Sequence, residues 1–97
     1  MDYFFDINKI KKDFPILAPP TGGVYFDNAC VTLKPESVIS AIEDYYREYP
    51  ACAGRSNHRL GEMVNQKLAE TRKIIADFIN THSADEISFT RNTTESI

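Results

Sequence analysis

No apolar run in this 97-residue sequence approaches the ~20 residues that a bilayer-spanning helix requires, so a span of that kind is not expected. Basic charge is scarce too. The chain carries 11 Lys and Arg against 14 Asp and Glu, for a net charge of −3 and a pI near 5.3. Without a basic stripe, a nucleic-acid binder is not expected. Met1 to Pro20 lacks the basic start and apolar stretch of a signal peptide, which predicts a cytoplasmic protein. Cysteine is sparse: Cys30 and Cys52 match no zinc spacing and form no CxxC, so no metal site is expected. In a chain without a secretion signal they read as reduced thiols. Internal repeats and low-complexity tracts are absent. What remains is an ordinary globular composition, 42% hydrophobic and 26% charged. The length suits one small domain or a piece of a larger one.

The hydrophobic pattern sets the order of elements. Asp6 to Phe14 reads as a short helix, with Ile7, Ile10 and Phe14 on one face, Asp6 as N-cap and Pro15 as its stop. LAPPTGG, from Leu17 to Gly23, is a loop by its Pro-Pro and Gly-Gly pairs. Val24-Tyr25-Phe26 is a short β-prone run closed by Asp27-Asn28. A helix from Pro35 to Tyr49 carries the stripe Val38, Ile39, Ile42, Tyr45, Tyr46 and Tyr49, and Pro50 ends it. After the loop Pro50 to Asn57, a longer helix covers Arg59 to Asn80. Its stripe is Leu60, Val64, Leu68, Thr71, Ile75, Phe78 and Ile79, with Lys67, Glu70 and Lys73 toward water. Glu86 to Thr90 alternates with period two and predicts a strand, and Thr93-Thr94-Glu95 predicts a helix start. A lone strand of that kind wants neighbours. The expectation is an α/β protein, read from a partial sequence.

Three stretches hold candidate chemistry. Thr90 to Glu95 takes a strand through a polar turn into a helix start. Orphan N–H groups and Thr hydroxyls there suit an anion such as phosphate, although the same residues form an ordinary cap. In Val24 to Pro35, Asp27-Asn28 followed by small Ala29-Cys30 lets a ligand approach the backbone, or forms an Asx turn. In Ala53 to Gly61, Arg55, His58 and Arg59 surround a Gly-containing loop. Arg55 there suits a carboxylate or phosphate. His58 is either a ligand contact or a helix N-terminal residue without one.

Taken together, these stretches resemble the N-terminal part of the class V aminotransferases, which are fold-type-I pyridoxal-phosphate enzymes. The segments that carry the resemblance are DFPIL, VYFDNACVTLKP, AGRSNHRLGE, TRKIIADFIN and DEISFTRNTTESI. The closest branch is the cysteine desulfurase and selenocysteine lyase group, whose members read YLDNAATTxKP, an HRGxHxLS-like loop, FIN, and IFTRGTTEAIN. The resemblance runs from about Phe14 to Ile97, in the same order and spacing.

It implies residues 1–23 as an N-terminal helix and loop, and 24–97 as an incomplete class V domain whose last strand is the first of the large-domain sheet. By the same resemblance, Thr93 and Thr94 belong to the phosphate cup of pyridoxal 5'-phosphate. Asn28, Ala29 and Cys30 line the substrate side of the pocket, with Cys30 a small residue packed beside it. Arg55 and His58 lie at the active-site mouth, near the partner of a homodimer. The implied reaction is removal of sulfur from L-cysteine, giving L-alanine and an enzyme persulfide that is passed to a sulfur-acceptor protein. The Schiff-base lysine and the nucleophilic cysteine are expected downstream, so no catalytic residue lies in this segment and the segment alone is expected to be inactive.

The sequence departs from the family pattern at several points. Asn92 stands for the Gly of RGTTE, which predicts a turn that tolerates Asn at φ > 0. Gly54 stands for the first loop His, Gly61 for Ser, and Cys30-Val31 for Ala-Thr. Two other readings stay open. One keeps the cofactor but performs amino transfer, epimerisation or another lyase reaction. The other is a non-catalytic dimerisation or interaction module.

Overall fold

The computed structural model describes residues 5–20 and 22–97. Residues 1–4, and Thr21 of the LAPPTGG loop, lie outside the described residues. The chain divides into two compact units, Met1–Arg47 and Glu48–Ile97.

In the first unit, Asp6 opens α1 (Ile7–Lys12) as its N-cap. Its carboxylate accepts the N–H groups of Asn8 and Lys9, both at 3.1 Å, and so satisfies two orphan donors. Lys9, Lys11 and Lys12 fall in the last turn, where cations complement the helix dipole. The helix is shorter than its pattern suggested. Asp13 caps it, and Pro15 starts a separate 3-10 turn over Pro15–Leu17. The Asp13 carbonyl accepts the Glu36 N–H at 2.7 Å, which ties the end of α1 to the start of α2 (Glu36–Glu48). Along α2 no residue is buried. Ile42 is 54% exposed and Tyr46 70%, with the Tyr45 and Tyr46 rings edge-to-face at 5.1 Å. The apolar stripe read from the sequence is present, with Tyr45 and Tyr49 half-buried and Val38, Ile39, Ile42 and Tyr46 exposed.

Val24-Tyr25-Phe26 forms no strand. Phe26 is 92% exposed, and the Tyr25 hydroxyl instead bonds to the carbonyl of Val31 at 2.5 Å and to that of Asp27 at 3.2 Å.

The second unit is organised by α3 (Arg59–Ile79). It ends in a Schellman arrangement. Asn80 takes the left-handed conformation at φ 59, the Asn80 N–H bonds to Asp77 O, and the Thr81 N–H bonds to Ala76 O at 3.0 Å. Ser83 then caps a 3-10 turn, Ala84–Glu86, which packs on α3. The packed stripe differs from the predicted one at its C-terminal end. Ala76 is the buried hydrophobic residue, at 4% exposure, and Leu60, Val64, Leu68 and Ile75 are half-buried. Thr71 is exposed, as are Phe78 at 88% and Ile79 at 56%. Arg72 sets its guanidinium 5.5 Å from the Phe89 ring centroid, a cation–π contact that period counting does not reveal. On the outer face Lys73 pairs with Asp77 at 2.8 Å, and that carboxylate raises the Lys73 pKa above its ordinary 10.5. The pair therefore supports α3 at neutral pH and fades as pH rises through the Lys73 titration.

The strand expected over Glu86 to Thr90 is not formed. Glu86 closes the 3-10 turn, and Ile87 is extended at φ −91 and ψ 117 but has no ladder partner. No strand occurs among the described residues. The physical reason is simple: an extended segment becomes a strand only when another one satisfies its N–H and C=O groups. The helix start beyond it does form, as α4 (Thr93–Ser96).

Candidate functional site

The start of α4 is built by its capping residues. The Asn92 side chain accepts the Glu95 N–H at 2.9 Å, and the Glu95 carboxylate takes the Arg91 N–H at 2.6 Å and Arg91 Nε at 3.3 Å. This is a capping box shifted by one residue on its return bond. Asn92 sits at φ −166 and ψ 173, extended backbone that any residue adopts. The left-handed turn expected at Asn92 is therefore corrected. Asn replaces Gly there as an N-cap, through its side chain. Thr90 adds a second layer of ties through Asn92 O at 3.3 Å and the Ser96 hydroxyl.

With the neighbours of Thr93 and Thr94 so occupied, these two residues are left with free donors. Both are exposed, and neither the N–H groups nor the hydroxyls of Thr93 and Thr94 have a partner among the described residues. Four donors stand together on one exposed turn. An acceptor-rich anion matches that set.

Asn28, Ala29 and Cys30 form a main-chain turn in the first unit. The Asp27 carbonyl accepts from Cys30 N at 3.1 Å and Val31 N at 3.0 Å, so backbone bonding makes this turn rather than an Asx side chain. Thr32 Oγ1 reaches Asn28 O at 3.5 Å, and Tyr25 closes the turn from the other side. Asn28 lines a cleft of about 470 Å³ together with Lys11, Phe14, Leu17, Tyr25 and Thr32. Ala29 and Cys30 are exposed on the turn, so Cys30 is not the packed small residue expected of it. Cys52 is likewise a free, exposed thiol.

Arg55 and His58 belong to the second unit. Gly54, at φ +74, turns the chain where a side chain would be strained, and its N–H bonds to Asn65 Oδ1 at 2.7 Å. Arg55 is exposed, with no hydrogen bond or ion pair among the described residues. His58 is the N-cap of α3, its Nδ1 accepting the Gly61 N–H at 3.4 Å. Of the two readings open for His58, the helix N-terminal one describes its Nδ1, leaving Nε2 free for other contacts. Gly61 is buried, and a Cβ there would overlap the carbonyl oxygen and Cβ of Ser56. That close approach accounts for glycine at this position. No hydrogen bond joins this loop to Thr93 or Thr94 among the described residues.

The family model of aminotransferase class-V matches residues 24–97, which include all seven candidate positions. The chain belongs to the class V aminotransferase family. Its relatives include a probable cysteine desulfurase of Pyrococcus abyssi, 46% identical over 88 residues that cover 91% of this chain and 21% of the relative. Another, a probable cysteine desulfurase of Staphylococcus aureus strain Mu50, is 36% identical over 99% of this chain and 24% of its own length. Among solved structures, an apo cysteine desulfurase from Thermococcus onnurineus NA1 superposes with a TM-score of 0.79 at 40% identity. The match covers 99% of this chain and 23% of that one. This class V chain thus spans about a fifth to a quarter of the length of the relatives it matches.

Sequence reasoning passed over Asn65 and Tyr25, which shape the class V segment, and gave Asn92 a backbone role in place of its capping one. Asn65 holds Gly54, Asn92 caps α4, and the Tyr25 hydroxyl closes the Asn28 turn. Asn92 was legible, since Asn three residues before Glu at a helix start is a capping pattern. Asn65 offered only the hint that a mid-helix Asn tends to bond backbone elsewhere.

Proposed function

We propose that this chain forms the N-terminal part of a pyridoxal-phosphate-dependent cysteine desulfurase. The reaction takes sulfur from L-cysteine onto an enzyme thiol, leaving L-alanine and an enzyme persulfide for a sulfur-acceptor protein. The observation that carries the reading is the free donor set of Thr93 and Thr94, in a chain that aligns nearly end to end with proteins named cysteine desulfurase.

The chemistry of that donor set fits a phosphate ester. Two N–H groups and two hydroxyls offer hydrogen bonds to a dianion, and Asn92 and Glu95 already complete the cap. Thr93 and Thr94 would hold the cofactor's phosphate. Bound pyridoxal phosphate supplies an electron sink for bonds broken at the amino acid's Cα. Asn28, Ala29 and Cys30 form the substrate wall in this reading. Arg55 offers a free guanidinium to the substrate carboxylate, and His58 stands beside it at the mouth, close to the partner of a homodimer. Residues 86–90, which form no strand here, join the large-domain sheet in the whole protein. The working compartment is the cytoplasm.

Product analysis on the protein expressed from its full reading frame tests this. With pyridoxal phosphate and L-cysteine, alanine is the expected product. A keto acid in its place would favour an aminotransferase. No turned-over amino acid would favour an interaction module.

A further inference from the structure

Arg55 has no partner of its own among the described residues, yet the loop that carries it is fastened to α3 at three points. Gly54 N–H bonds to Asn65 Oδ1 at 2.7 Å, Ser56 lies against the bare Cα of Gly61, and His58 Nδ1 accepts the Gly61 N–H at 3.4 Å. A short polar loop with Gly54 at φ +74 has little intrinsic reason to keep one shape. These contacts tie it to a 21-residue helix. A free guanidinium on a fastened loop is an anion receptor whose ordering cost is met before the ligand arrives.

We propose that His58 and Asn65 are positioning residues for Arg55. Only the identity of the anion that Arg55 contacts rests on the desulfurase reading. The Gly61 N–H needs a lone pair on Nδ1, which the neutral imidazole has and the imidazolium lacks.

Amide hydrogen exchange on the protein from its full reading frame reads both hydrogen bonds, as protection of Gly54 and Gly61 relative to their intrinsic rates. His58→Ala should lower Gly61 protection about tenfold, as expected when a helix loses its capping acceptor. His58→Asn keeps a capping acceptor, so Gly61 should stay protected as in the wild type. Asn65→Ala should lower Gly54 protection at every pH and raise the KM for the anionic substrate severalfold while kcat holds. A His58→Ala protein whose Gly61 is protected like wild type, or an Asn65→Ala protein whose Gly54 is, overturns the inference. Exchange that follows this pattern in a protein that does not turn over cysteine leaves the fastening intact and overturns only the proposed reaction.

Discussion

The Asn92 carboxamide accepts the Glu95 N–H at 2.9 Å, and the Glu95 carboxylate returns to the Arg91 N–H at 2.6 Å. This reciprocal pair sets where α4 begins and leaves Thr93 and Thr94 between its two bonds with free donors. Asn92→Ala should therefore cost about 1 kcal/mol, the ordinary loss of a cap, while Asn92→Gly should cost only a few tenths. Chemical denaturation of the two variants checks the order. If Gly instead raised stability above that of the wild type, Asn92 would be a strained stand-in for glycine rather than a cap.

Thr94→Val in the complete protein should release the cofactor. It removes one hydroxyl from the phosphate and nearly keeps the shape. Charge-assisted bonds of this kind are worth roughly 1.5–3 kcal/mol, on the order of a ten- to hundredfold loss of affinity. Cofactor retained through dialysis, together with the melting temperature, separates this from a helix-start effect. Full retention with a lowered melting temperature would make Thr94 a structural residue only.

Arg55→Ala should leave stability within about 0.5 kcal/mol of wild type, because an exposed side chain without partners leaves no cavity behind. Turnover should fall. Normal turnover with a large loss of stability would reverse the role given to Arg55.

Gly61→Ala should do the opposite and strike folding first. The added Cβ meets the backbone oxygen and Cβ of Ser56, neither of which is the flexible end of a long side chain. Overpacking of this kind costs about 1–3 kcal/mol, read as a lowered unfolding midpoint. A midpoint equal to the wild type would mean that Ser56 gives way and that the loop is not held closely to α3.

How legible all this was depends on the range of the interaction. Asp6 capping α1, Pro50 after α2 and the Thr93 helix start are local devices, written within a few residues of where they act. Val24 to Phe26 and Glu86 to Thr90 carried the pattern of strands, but a strand is a property of a pair, and no partner occurs among the described residues. Of the α3 stripe up to Ile75, Leu60, Val64, Leu68 and Ile75 are half-buried as read, and Thr71 is exposed. Beyond it, Phe78 and Ile79 are apolar without being covered, while Arg72 is drawn inward by Phe89. The site was legible as three motifs. The Gly54–Asn65 bond, across eleven residues, was not, because nothing local to either residue names the other.

The most direct test of the central claim is a single-turnover count. The protein from its full reading frame, loaded with pyridoxal phosphate and given L-cysteine without a thiol reductant, should form alanine and protein-bound persulfide sulfur in equal amounts and then stop. Residues 1–97 alone, treated in the same way, should form neither above the free-cofactor background. Alanine without matching protein-bound sulfur, or no alanine from the full protein, would contradict the account.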